Sequence, residues 1–213
     1  MPTRRQALYA AIAAVFAACL IVPPGAGGAT AEPADAFIRT MGNEAIRSLT
    51  GAALSAEQRE ARFREILTRA FDMPTIARFT MGRYWRIATA AQRREYIELF
   101  EEFVVGAYAA RFKDYSGERV EVGQVREINE REKLVASEIV RPGQPTIAVH
   151  WRVRADDGYK IIDVMVEGVS MGITQRDEFA AVIRASGGKV EGLLAALRRK
   201  TGREQSAERA TGR

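Results

Sequence analysis

The stretch TAAQRREYIELFEEFVVGAYAARFKDYSGERVEVGQVREI, Thr89 to Ile128, holds the point at which the chain changes its periodicity. Up to Phe112 the apolar residues fall at Tyr96, Ile97, Phe100, Phe103, Val104, Ala107, Tyr108 and Phe112, in steps of three or four or as adjacent pairs. That spacing is one broad face of an α-helix. Thr89-Ala90-Ala91-Gln92 has the form of a capping box and predicts where the helix begins. From Arg119 onward the repeat is two, the period of a strand. A helix with so wide an aromatic stripe requires a large apolar partner.

Downstream, four strands are predicted at roughly 119–128, 132–141, 145–155 and 158–167, with Arg141-Pro142-Gly143-Gln144 and Asp156-Asp157-Gly158 as turns between the last three. In the third strand Ile147, Val149, Trp151 and Val153 share one face, while Ala148, His150, Arg152 and Arg154 share the other. One face therefore packs on helices and the other meets solvent. In the fourth strand alternation places Ile162, Val164 and Val166 inward, with Asp163 opposite. Thr174 is expected to cap a helix with Phe179, Val182 and Ile183 inward, ended by Gly187-Gly188, before a last helix with Val190, Leu193, Leu194 and Leu197.

Upstream, Phe37, Ile38, Met41, Ala45 and Leu49 mark a helix that ends at Thr50-Gly51. Ser55-Ala56-Glu57-Gln58 is a second capping box, opening a helix with Phe63, Ile66, Leu67 and Ala70 inward. A short third helix is predicted from Met73 to Phe79. The expectation is one α+β domain over 32–197, a curved antiparallel sheet of about four strands packed against helices, cone-like with an apolar cavity. Residues 198–213 are polar and aperiodic, and read as a disordered tail.

The amino-terminal 31 residues have the form of an export signal: Arg4 and Arg5, an uncharged run from Ala7 to Val22, a Pro/Gly hinge, and Ala29-Thr30-Ala31 as a cleavage site. The run is shorter than the roughly 20 apolar residues of a bilayer span. Thr3 to Leu8 loosely resembles a twin-arginine signal, with Ala7 where that pattern prefers Phe, so the route is Sec or Tat. The single cysteine, Cys19, lies inside this segment, and Phe16-Ala17-Ala18-Cys19 is a poor lipoprotein box. A mature chain cut after Ala31 has no disulfide. Its formal charge falls from +5 to +3, because two arginines and no acid depart. A mildly basic surface of interspersed signs is not a nucleic-acid footprint.

Reactive groups are scarce. His150 is the one histidine, and it sits on the polar face of a predicted strand. No P-loop, zinc-protease helix or dinucleotide fingerprint occurs. The acids nearest apolar segments are Asp72, Asp114, Glu118, Asp163 and Glu167. Each has a structural reading: Asp72 as the N-cap before Met73-Pro74, Asp163 and Glu167 as partners for backbone or arginine at the sheet edge. The chain reads as a non-enzyme without metal or cofactor. Its most distinctive segment is instead the aromatic and methionine-rich run from Phe71 to Tyr115, whose side chains form a core or line an apolar cavity.

FDMPTIARFTMGRYWRIATAAQRREYIELFEEFVVGAYAARFKDYSGE, Phe71 to Glu118, resembles the signature region of the MlaC, or toluene-tolerance, family. The similar features are the F-D-x-x-x-I-A-R start, the G-x-Y-W-R turn, the A-T-x-x-Q-R helix opening and the Y-S-G-E end. GYKIIDVMVEGVSMGITQRDEF, Gly158 to Phe179, is similar to the same family's strand and V-E-G-V-S turn.

The resemblance implies a periplasmic carrier whose only bound molecule is its phospholipid cargo. Its implied partners are an outer-membrane lipoprotein complex and an inner-membrane ABC transporter bearing an MCE-domain protein, in the service of outer-membrane lipid asymmetry. The related HpnM-type proteins share these motifs and imply a hopanoid as the alternative cargo. By position in the motifs, the lipid-binding candidates on the helical side are Phe71, Ile76, Phe79, Tyr84, Trp85, Phe100, Phe103, Val104 and Tyr108; Val149, Trp151, Val164 and Val166 join them from the apolar faces of the predicted strands. Arg83 and Arg86 are the candidates for the headgroup phosphate.

Overall fold

Two capping boxes fix the starts of the two helices that carry most of the apolar surface. In each, the Ser55 or Thr89 hydroxyl accepts from the backbone N–H of Gln58 or Gln92, and the glutamine side chain accepts from the capping residue's own N–H. The computed structural model describes residues 33–50, 54–114 and 117–202. The predicted export signal with Cys19, the Gly51 break, Tyr115 and Ser116 of the Y-S-G-E motif, and the chain beyond Gly202 lie outside the described residues.

The helices are α1 (Ala34–Leu49), α2 (Ala56–Ala70), α3 (Met73–Met81), α4 (Ala90–Tyr108), α5 (Met171–Ala185) and α6 (Val190–Thr201). A 3-10 turn, Gly82–Arg86, joins α3 to α4, and another, Ala109–Asp114, follows α4. The strands are β1 (Arg119–Glu127), β2 (Glu132–Arg141), β3 (Gln144–Asp156), β4 (Gly158–Val166) and β5 (Val169–Ser170). They form one antiparallel sheet in sequence order, curved and unclosed, with helices on its inner face. The predicted α+β class holds, with a two-residue fifth strand added.

Two clusters of buried side chains build the interior. The helical cluster centres on Tyr96, stacked on Phe100 at 5.8 Å, with Phe179 edge-on to both at 6.0 Å and Leu193, Leu194 and Leu197 of α6 alongside. The Tyr96 hydroxyl is paired with Thr80 Oγ1 at 2.8 Å, and burial pushes its phenol well above the ordinary tyrosine range. The second cluster joins Ile38 and Leu49 of α1 and Ile66 of α2 to Val135, Val153 and Ile161 of the sheet. Phe63 and Phe71 border both. Gly42 lets α1 approach β1 closely, since a Cβ there would come within 3.2 Å of Val120.

Three sequence expectations are corrected. The register pairs Trp151 with Val164 and Arg152 with Asp163 but Val153 with Ile161, leaving Ile162 as the extra residue of a β-bulge. Ile161 is therefore the fully buried side chain, whereas Ile162 is half-buried. Two adjacent isoleucines conceal such a shift from any alternation argument. Secondly, α5 begins at Met171 with Ser170 as its N-cap, and Thr174 lies inside the first turn, its hydroxyl donating to the Ser170 carbonyl at 2.9 Å. Thirdly, α6 runs to Thr201, past the boundary at Leu197. Arg198 holds that last turn by ion pairs to Glu95 of α4 and Glu191, each at 2.6 Å.

The bulge has a direct test. Ile161→Ala is expected to cost about 3 kcal/mol in denaturant unfolding, as buried isoleucine truncations do. Ile162→Ala is expected to cost about 1 kcal/mol or less, in line with its partial exposure.

Candidate functional site

The strand registers place Val135, Trp151 and Val164 in one row across the inner face of the sheet, Ser137, Val149 and Val166 in the next, and Ile139 beside Ile147 in a third. Helix α1 lies along β1 and β2, whereas α2, α3 and α5 approach β4. Among the described residues no helix lies closely along β3, and α4 packs chiefly on α2, α3 and α6. The helices thus straddle the sheet and leave β3 as the floor of a trough. Ile147, Trp151, Val164 and Val166 are only half-buried there, whereas Val135, Val149 and Val153 are closed over.

The floor is apolar although it contains a serine. Trp151 Nε1 donates to Ser137 Oγ at 2.8 Å, and the serine hydroxyl donates to the Val149 carbonyl at 3.1 Å. The indole therefore leans across Ser137 and leaves no unmet polar atom facing the trough. A polar group without such a partner would cost about 1–3 kcal/mol on dehydration.

The predicted site residues divide among several places. Val149, Trp151, Val164 and Val166 come together on the floor. Phe71, at the start of α3, touches both core clusters, and Ile76, Phe103 and Val104 lie half-buried against the helical one. Tyr108, the last residue of α4, is also half-buried. Phe100 is buried within the aromatic stack, away from solvent on every side. Tyr84 and Trp85 sit in the 3-10 turn, where the Arg93 guanidinium lies 5.3 Å from the Trp85 ring and its Nε donates to the Trp85 carbonyl. Phe79 is 42% exposed, and Arg83 and Arg86 are exposed as well. Sequence reasoning did not single out Ile147, although its alternation with Val149 placed it on this face. It also passed over Phe63, whose ring meets Phe112 at 5.8 Å, because that contact joins residues far apart in the chain.

A half-open groove of about 530 Å³ lies elsewhere, between α2, α4 and α6. Glu60, Arg64, Glu102 and Lys200 line it beside Phe103 and Gly106, so its walls are largely charged. Of the predicted lipid-binding residues it includes Phe103 alone.

The carboxylates near the sheet are committed to structure. Asp72 caps α3, accepting from Thr75 N at 3.0 Å and Thr75 Oγ1 at 2.7 Å, and also pairs with Arg154. Asp163 accepts from Ser170 Oγ at 2.6 Å and from Gly172 N at 3.1 Å, which seats the start of α5 on β4. Glu167, held at φ 50° in the turn between β4 and β5, accepts from Ala148 N at 2.6 Å. His150 lies on the outer face of β3, between Ala136 and Met165. Among the described residues no three of His, Cys, Asp or Glu converge as a metal site, and no helix is long and apolar enough to cross a membrane.

Residues 39–199 match the MlaC protein family, a span that runs from α1 into α6 and takes in the helical core cluster, most of the second cluster and the trough. The chain belongs to the MlaC family. Its fold is similar to that of a phospholipid-binding protein from Ralstonia solanacearum, solved in complex with a phospholipid. The TM-score is 0.73 at 21% sequence identity, covering 81% of this chain and 98% of that one. Both motif regions noted in the sequence, Phe71 to Glu118 and Gly158 to Phe179, fall inside the MlaC match.

Because Asp72 both caps α3 and pairs with Arg154, Asp72→Ala is expected to lower stability by about 2 kcal/mol, read by thermal or denaturant unfolding. Glu121→Ala, which removes an exposed pair with Arg119, is expected to change it by less than about 0.5 kcal/mol.

Proposed function

We propose that this MlaC-family protein is a periplasmic lipid carrier that shelters the acyl chains of a phospholipid in the trough above β3. It exchanges that lipid with an outer-membrane lipoprotein complex on one side and an MCE-domain ABC transporter of the inner membrane on the other, and so serves outer-membrane lipid asymmetry. The observation that carries the reading is the apolar, half-buried floor formed by Ile147, Trp151, Val164 and Val166, straddled rather than covered by helices. A member of the same fold, the Ralstonia solanacearum protein, holds a phospholipid.

The energetics explain why such a floor must be both apolar and roofed. Two acyl chains of about fifteen methylenes each forfeit on the order of 20–25 kcal/mol when exposed to water, at about 0.8 kcal/mol per CH₂. A carrier must return most of that amount, or the lipid will not leave the membrane. Val104 and Tyr108 of α4 and Phe71 and Ile76 at the start of α3 supply the roof and wall in this reading. The 3-10 segment after α4, with Phe112 against Phe63, closes the end. Chemistry on the cargo is not part of the reading, because the nearby acids already hold helix and strand ends.

Protein purified without detergent is expected to carry lipid at near one molecule per chain, seen by native mass spectrometry and named by extraction and chromatography. Recovery of hopanoid in place of phospholipid would identify the cargo as the HpnM type. Folded protein that is repeatedly lipid-free would overturn the carrier reading. Val166→Trp, which fills the trough with an apolar side chain, is expected to reduce occupancy while the circular dichroism spectrum stays native. Unchanged occupancy in this variant would move the site away from β3.

A further inference from the structure

Between Met73 and Arg94 the chain has five arginines and no acidic residue, in a protein where acids and bases are otherwise interspersed. This segment forms α3, the 3-10 turn and the start of α4. Arg78, Arg83 and Arg86 are exposed, and among the described residues none of the three has a carboxylate partner. Elsewhere arginines such as Arg39, Arg64, Arg69, Arg152, Arg154 and Arg198 are each paired with an acid.

The same end of the molecule presents apolar side chains. Phe79 of α3 is 42% exposed, Ile87 after the turn 66%, Val169 of β5 54% and Ile173 in the first turn of α5 46%. These segments touch one another. A Cβ on Gly172 would lie 3.2 Å from the Phe79 ring, Arg176 sits 5.2 Å over that ring, and the Arg176 stem lies 3.4 Å from a Cβ position at Gly82. The acids near this region have partners: Asp163 of β4 accepts from the Gly172 N–H at the start of α5, Asp177 of α5 pairs with Arg176 at 3.4 Å, and Glu178 accepts from Gln175. Apolar side chains rimmed by arginines that lack a carboxylate partner are complementary to an anionic lipid surface.

We infer that this face docks the protein on the anionic surface of a bilayer, with Phe79, Ile87 and Ile173 entering the headgroup layer and Arg78, Arg83 and Arg86 meeting lipid phosphates. Arg83 and Arg86, expected from the sequence to meet the phosphate of one bound lipid, are thereby assigned to the headgroups of the membrane. The surface lies outside the trough, so docking is separate from carrying.

The test is flotation of the full chain with phosphatidylcholine vesicles made with and without phosphatidylglycerol. The protein is expected to float with the phosphatidylglycerol vesicles and to be released as salt screens the arginines. Arg83→Ser with Arg86→Ser is expected to weaken recruitment by about tenfold or more, and Ile87→Ser to weaken it as well, with native circular dichroism in both. Equal recovery with the two vesicle types, or recruitment unmoved by the double substitution, would overturn the proposal. Absence of recruitment to either vesicle would overturn it too, and would leave the face to a protein partner. The readout is protein on vesicles rather than lipid in protein, so it stands whether or not the trough holds cargo.

Discussion

The short junction at Phe71 and Asp72 ties the two halves of this fold together. The Asp72 N–H donates to the Ile161 carbonyl at 2.9 Å, and Phe71 forms an isolated parallel bridge with the same residue, so the chain between α2 and α3 is stitched to β4. The Asp72 carboxylate then caps α3 and reaches Arg154 of β3, which also pairs with Asp156. The hydrogen bond to Asp156, with the charges of Asp156, Asp72 and Glu132, holds the Arg154 guanidinium in its charged form and raises its already high range further. The bulge at Ile162 belongs to this junction, because it turns Ile161 inward beneath Phe71 and ends the simple alternation of β4.

The helices are anchored along β4 on one side and, through Gly42, along β1 on the other, and no helix among the described residues lies closely along β3, whose Ile147 and Trp151 stay half-buried. An ordinary helix-on-sheet domain closes that space with side chains, since a void forfeits both dispersion and burial. Here the helical cluster around Tyr96, Phe100 and Phe179 is self-sufficient, which frees α4 from having to fill the floor of β3. The proposed acyl-chain site is this half-buried apolar floor. The commitment of Asp72, Asp163 and Glu167 to helix and strand ends belongs to the same design, since it keeps charge out of the trough.

Much of the fold was legible in the sequence because its signals are local. Capping boxes at Ser55 and Thr89, the Gly187-Gly188 stop and the change of period at Arg119 each depend on residues within a few positions of one another. What escaped was set by distant partners. The ion pairs of Arg198 extend α6 through a stretch with no apolar period, Asp163 shifts the start of α5 by its bonds to Ser170 and Gly172, and the bulge hides behind two isoleucines. In the candidate site the strand residues followed directly from alternation. The helical ones were less separable, since an aromatic stripe reads alike whether it faces a core, as Phe100 does, or the outside, as Phe79 does.

The central claim is that the β3 trough is where acyl chains rest, and nuclear Overhauser contacts between bound lipid and labelled protein test it most directly. The account predicts contacts from chain methylenes to Ile147, Trp151, Val164 and Val166. Contacts confined to the groove of Arg64, Glu102 and Lys200, or a bound lipid with none to the sheet, would contradict it.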